Sequence, residues 1–108
     1  MLFVRKVEFQ NSLDEDNSLR VSFEMERGEV LKFVVQLECR FEEKWSPVMR
    51  FDTAHGFAHC DKLYPYGKTV KTTLPTRNYN EALNFALEDL AKNWENYRRR
   101  YEIWLKEK

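Results

Sequence analysis

The stretch Arg50-Phe51-Asp52-Thr53-Ala54-His55-Gly56-Phe57-Ala58-His59-Cys60-Asp61 alternates apolar with polar side chains on either side of His55-Gly56. Two alternating runs around a dipeptide ending in Gly predict a β-hairpin. With His55 and Gly56 as the loop, Asp52 faces His59, Phe51 faces Cys60 and Arg50 faces Asp61. Because successive side chains of a strand point to opposite faces, Arg50, Asp52, His59 and Asp61 share one face, and Met49, Phe51, Cys60 and Tyr64 share the other. One face carries chemistry and the other belongs to a core.

Working outward, Leu2 to Phe9 alternates and predicts a first strand, with Arg5 on its apolar side as suits an edge. Asn11 to Ser18 is polar and acidic and predicts a mobile connection; its carboxylates lack the spacing of a calcium loop. Leu19–Met25 and Leu31–Phe41 form the clearest strand pair. A three-residue loop, Arg27-Gly28-Glu29, would set Met25 against Leu31, Phe23 against Phe33 and Val21 against Val35, matching apolar to apolar. Phe41 to Pro47 reads as a turn-like connection, with Trp45 capping one end of the core. Tyr64 to Lys68 reads as a turn, and Thr69 to Leu74 as a short extended segment.

Beyond Pro75 the period changes. Asn78, three residues before Glu81, has the spacing of an N-cap. Leu83, Leu87, Leu90, Trp94, Tyr97, Tyr101 and Trp104 then recur at steps of three and four, the stripe of an amphipathic helix. A helix over Tyr79–Lys106 would be about 40 Å long at 1.5 Å per residue, longer than a six-residue strand of about 20 Å. Its leucines belong on the sheet. Its aromatic half either wraps the sheet or meets another protomer, so a homodimer through Trp94, Tyr97, Tyr101 and Trp104 is expected. The fold expected is α+β: an antiparallel meander sheet of four to six strands with one long C-terminal helix packed on one face. A single domain spans 1–108, with the sheet over about 2–74 and the helix over about 79–106.

Lysine and arginine total 18, as do aspartate and glutamate, so no global field favours nucleic acid or an anionic membrane. There is no long apolar run, and Arg5 and Lys6 arrive too early for a secretory signal. Cys39 and Cys60 suit reduced core positions. A cytoplasmic protein without a membrane partner is expected.

The chemical face offers His59, oriented by Asp52, as a general acid or base, with Arg50 holding an anion and His55 nearby. Asp61 is a further binding candidate. So are Arg98, Arg99 and Tyr97 in the only local basic patch, which could hold an RNA backbone. His55 and His59 are four apart, as zinc ligands on a helix are, but Gly56 and the alternating flanks argue against a helix. No metal or cofactor is therefore assigned; Asp52 or Asp61 would be the third ligand. The alternative is structural: Arg50–Asp61 as a cross-strand ion pair, with Asp52 stapling His59.

The motif Arg50-Phe51-Asp52-Thr53-Ala54-His55-Gly56 with His59 and Asp61, followed by a long terminal helix, resembles an uncharacterised family of small archaeal and bacterial proteins of domain-of-unknown-function type. More distantly, it is similar to the small toxin-like proteins of prokaryotic toxin–antitoxin operons. The nearer resemblance implies no particular activity. The expected function is a non-enzymatic interaction or binding domain with a polar hairpin site and a protein or RNA partner. The alternative is a metal-independent, nuclease-like enzyme using Arg50, Asp52, His55 and His59.

Overall fold

In a computed structural model, residues 3–107 are described. Strands β1 (Arg5–Asp14), β2 (Asn17–Glu26), β3 (Glu29–Phe41), β4 (Lys44–Asp52), β5 (His59–Leu63) and β6 (Thr69–Thr73) are followed by helix α1 (Tyr79–Lys106). The strands form one antiparallel sheet in chain order, so each pairs with its sequence neighbour. This is the expected meander at its upper strand count, with the helix on one face.

The apolar alternation builds the core. Leu19, Val21, Phe33, Val35, Leu37, Cys39, Met49 and Phe51 are buried on the helix side, against Ala82, Leu83, Ala86, Leu90 and Tyr101 of α1. Ala82 and Ala86 have no exposure; their small side chains let the helix backbone sit close to the sheet. Burying Leu90 fully contributes about 1.5–3 kcal/mol. The Asn78 carboxamide caps the helix by accepting from the Glu81 N–H at 2.8 Å. Asn80, the alternative cap, instead ties α1 to the β2–β3 turn: its Oδ1 accepts from the Val30 N–H and its Nδ2 donates to the Gly28 carbonyl, both at 2.8 Å.

The aromatic half of the stripe lies on the chain's own sheet. Tyr101 is buried and stacks on Phe41 at 5.1 Å, and Trp94 and Tyr97 are partly buried against the core. Trp104, 44% exposed, sets its edge against Tyr64 at 5.2 Å. Among the described residues, no helix is long and apolar enough to cross a membrane.

Several expectations about connections are corrected. The predicted first strand began at Leu2, which lies outside the described residues; β1 runs from Arg5 to Asp14. Asn11 to Ser18 is not a loop, because Asn11 and Ser12 pair with Leu19 and Ser18 and only Glu15-Asp16 turns. The Asp14 carboxylate makes that tight turn possible, accepting from the Asp16 N–H at 2.7 Å and the Asn17 Nδ2 at 2.8 Å.

At β2–β3 the loop is the two residues Arg27-Gly28, both at positive φ, and a bulge supplies the extra residue. Phe23 and Val21 therefore face Phe33 and Val35 as expected, but Met25 faces Val30 and Leu31 is 40% exposed. Phe41 to Pro47 is likewise not a connection. The turn is Glu42-Glu43, and β4 runs through Pro47 beside a register shift where a strand tolerates proline. Trp45 does not cap the core: it is 46% exposed, with the Arg40 guanidinium 5.6 Å over its ring.

Glu42 and Glu43 hold φ of 48° and 72°, the left-handed region that costs a side-chain-bearing residue about 1–2 kcal/mol. Both central residues at positive φ is the pattern of the hairpin turn that favours Asn-Gly. Replacing Glu42-Glu43 by Asn-Gly is expected to stabilise the fold by about 1 kcal/mol, raising Tm by about 4–8 °C in a domain near this size. An unchanged or lower Tm in calorimetry would refute the turn assignment.

Candidate functional site

The hairpin of β4 and β5 has the register read from the sequence: Arg50 opposite Asp61, Phe51 opposite Cys60 and Asp52 opposite His59. Its connection differs. Instead of a two-residue turn, six residues, Thr53 to Ala58, link the strands through a 3₁₀ turn at Ala54–Gly56. His55 and Gly56 both take positive φ there, at 71° and 84°. The Thr53 hydroxyl, accepting from the Phe33 N–H at 3.1 Å, anchors the loop to β3.

On the sheet face away from α1, Asp52, His59 and Asp61 converge. His59 Nε2 lies 2.7 Å from Asp52 Oδ1 and 3.7 Å from Asp61 Oδ2, and its Nδ1 is 3.2 Å from the Phe57 carbonyl. The three are buried, His59 to 1% exposure. Asp52 Oδ1 also accepts from the Ala54 N–H at 3.0 Å, and Lys71 Nζ reaches both oxygens of Asp61, at 3.1 and 3.4 Å. The rings of Phe57 and His55 stand 5.2 and 6.4 Å from that of His59.

Arg50 does not make the ion pair with Asp61 that the structural alternative called for. Its Nε donates to Gln36 Oε1 at 2.8 Å; Gln36 Nε2 donates to Glu38 Oε2 at 2.7 Å, and Arg20 Nε donates to the same carboxylate at 3.1 Å. A polar chain therefore crosses β4, β3 and β2. Cys60, between His59 and Asp61, points to the core, where burial pushes its thiol up to about 11; burial pushes that of Cys39 up to about 12.

The arginine run is divided among different tasks. Arg98 is a clamp: Nη1 donates to Asn17 Oδ1 at 2.7 Å and the Asp16 carbonyl at 3.2 Å, Nη2 to the Arg40 carbonyl at 2.9 Å, and the guanidinium lies 4.5 Å over the Phe41 ring. Arg99 is exposed and donates to Asn96. Arg100 reaches Met49 Sδ at 3.3 Å and lies over the rings of Tyr64 and Tyr97. The Tyr97 hydroxyl donates to Asp89, and burial, followed by that bond, raises its pKa. Arg98 and Tyr97 are thus occupied within the fold and stand apart from the hairpin cluster. Sequence alternation puts Gln36 on the outward face of β3, where it is found, but misses Lys71 as a member of the polar face. Lys71 lies opposite Asp61, yet Thr69-Val70-Lys71-Thr72-Thr73 has too little apolar alternation to reveal its register.

The family described as a domain of unknown function, DUF7718, matches residues 4–107. The chain belongs to this family. No curated protein and no solved structure matches the chain significantly. The family assignment carries no activity, so function rests on the geometry of the DUF7718 chain itself.

Two outcomes test the clamp. Arg98→Ala is expected to cost about 2–3 kcal/mol by stranding the groups it satisfies, whereas Arg99→Ala stays within about 0.5 kcal/mol; equal effects in denaturant melts would discard the distinction. Asp14, under the same corner, is held below its ordinary 3.8 first by the Asp16 N–H and then by the Asn17 side chain. A lowered folded pKa makes its stabilising contribution fully present above the ordinary carboxylate value and lost as pH falls through the folded value. The Tm gap between the protein and Asp14→Asn should therefore hold at neutral pH and shrink below about pH 4. A pH-independent gap rules this linkage out.

Proposed function

We propose that the chain is a non-enzymatic binding domain that receives a protein partner at the polar hairpin site, on the face of the sheet away from α1. The observation that carries this reading is a groove of about 320 Å³ on that face, lined by Lys6, Ser22, Lys32 and Val34 and running to Asp52 and Ala54. Its charges are matched over short distances, Lys6–Glu8 at 3.0 Å and Lys32–Glu24 at 3.1 Å, and farther along the same sheet face Arg20 pairs with Glu38 at 3.1 Å. A mosaic of paired charges complements another protein surface and gives register, while a polyanion wants an uninterrupted basic track. The nuclease-like alternative is weaker because the His59 ring is 1% exposed and both nitrogens are engaged. A general acid or base needs hydrogen-bond reach to its substrate.

A photo-crosslinking residue at Val34, in the groove, is compared in cells with one at exposed Lys92 on α1. A discrete adduct is expected from position 34 only, lost when Lys6→Glu and Lys32→Glu reverse the rim charges. A second copy of the 13.1 kDa chain would register as an adduct of twice the mass. The reading fails if position 34 gives no adduct, or the same adducts as position 92.

A further inference from the structure

We propose that Asp52, His59 and Asp61 form a binding site for one divalent transition-metal cation, with Zn²⁺ and Co²⁺ as the probes. One ligand atom from each residue lies within 4.8 Å of the other two, and all three residues are more than nine-tenths buried. A single nitrogen and two carboxylate oxygens suit zinc, cobalt or iron(II) better than calcium or magnesium, which favour all-oxygen shells.

The orientation of His59 points the same way. The Phe57 carbonyl, 3.2 Å from Nδ1, accepts a hydrogen bond from an Nδ1–H, which turns Nε2 toward two carboxylates. A bare lone pair 2.7 Å from a carboxylate oxygen is repulsive, so Nε2 must carry either a proton or a metal. An Nδ1–H donated to a backbone carbonyl is the usual outer support of a metal-bound imidazole, and the Ala54 N–H on Asp52 orients a second ligand in the same manner. Ligand atoms on a tetrahedral ion with bonds of about 2.0–2.2 Å stand about 3.3–3.6 Å apart, so the 3.7 Å separation of Nε2 from Asp61 is close to fitting and the 2.7 Å separation from Asp52 opens as the ion enters. Three protein ligands leave a further coordination position, and the groove brings solvent as far as Asp52, one of the three.

Lys71 is the resident competitor. Its ammonium neutralises Asp61, yet the side chain is 42% exposed and can swing into water when a dication arrives. Removing it should therefore tighten metal binding, a result that a purely structural ion pair does not produce. The site is complete without a protein partner, so it stands or falls separately from the groove.

Protein stripped with a chelator is titrated with Co²⁺, followed by the absorption bands of the bound ion, and with Zn²⁺, followed by calorimetry and the imidazole resonances. One equivalent is expected to bind, shifting His59 and not exposed His55. Asp61→Asn should weaken binding by about 100-fold, at least the loss that outer-shell changes cause. Lys71→Met should strengthen it by about tenfold, as freeing one charged hydrogen bond implies. Should Asp61→Asn fail to fold, Lys71→Met and the His59 resonances decide. The assignment is overturned if no bound-cobalt bands form up to millimolar metal, if His55 shifts instead of His59, or if Lys71→Met leaves the affinity unchanged.

Discussion

A single helix, about 10 Å across, lies on six strands spaced about 4.8 Å apart, and it covers about two of them. The distribution of burial follows from that mismatch. β3 and β4, under α1, supply Phe33, Val35, Leu37, Met49 and Phe51 to the core, while every residue of β6 is exposed and β1 is exposed along most of its length. The outer strands depend on backbone pairing and on charge, as the cross-strand pair of Lys71 on β6 with Asp61 on β5 illustrates. The helix in turn depends on end fastenings. Asn80 holds its first turn to the β2–β3 loop, and Arg98 holds its last third to the β1–β2 turn and the end of β3.

The same geometry explains why a buried polar site exists on the face that lacks a helix. His59 and Asp61 point away from the core by the period of two, onto the face that α1 does not cover. They are enclosed by the folded-over loop from Thr53 to Ala58, with the Phe57 ring against the imidazole and Lys71 across Asp61. Burying two carboxylates is tolerable because each has a partner at hydrogen-bond distance: His59 and the Ala54 N–H for Asp52, and Lys71 for Asp61.

The sheet, its antiparallel order and the central register were legible because alternation marks faces and faces mark register. Phe23 against Phe33 came from matching apolar to apolar, and Asp52 against His59 from centring the hairpin on His55-Gly56, a centre that holds although the connection is longer. The connections were less legible, for particular reasons. Left-handed backbone at Glu42 and Glu43 departs from the glycine or asparagine a turn normally advertises, and Asp14 makes its turn through side-chain hydrogen bonds that composition does not display. At the site, Asp52 with His59 was readable from cross-strand geometry. Lys71 was not, since β6 is exposed throughout and carries no apolar pattern. The arginine run read as one basic patch, but a helix turns successive residues through 100°, which sends Arg98, Arg99 and Arg100 in three directions.

The meander also has a kinetic consequence. Three of its hairpins close through two-residue turns, so the entropy of loop closure is small and strand pairing can proceed from neighbours outward. Docking α1 is different: Arg98 meets Asn17 across 81 positions of chain. A sheet that assembles ahead of its helix presents Val35, Leu37 and Phe51 to water along a continuous apolar strip. During that interval the chain is most open to capture by chaperones or by its own copies.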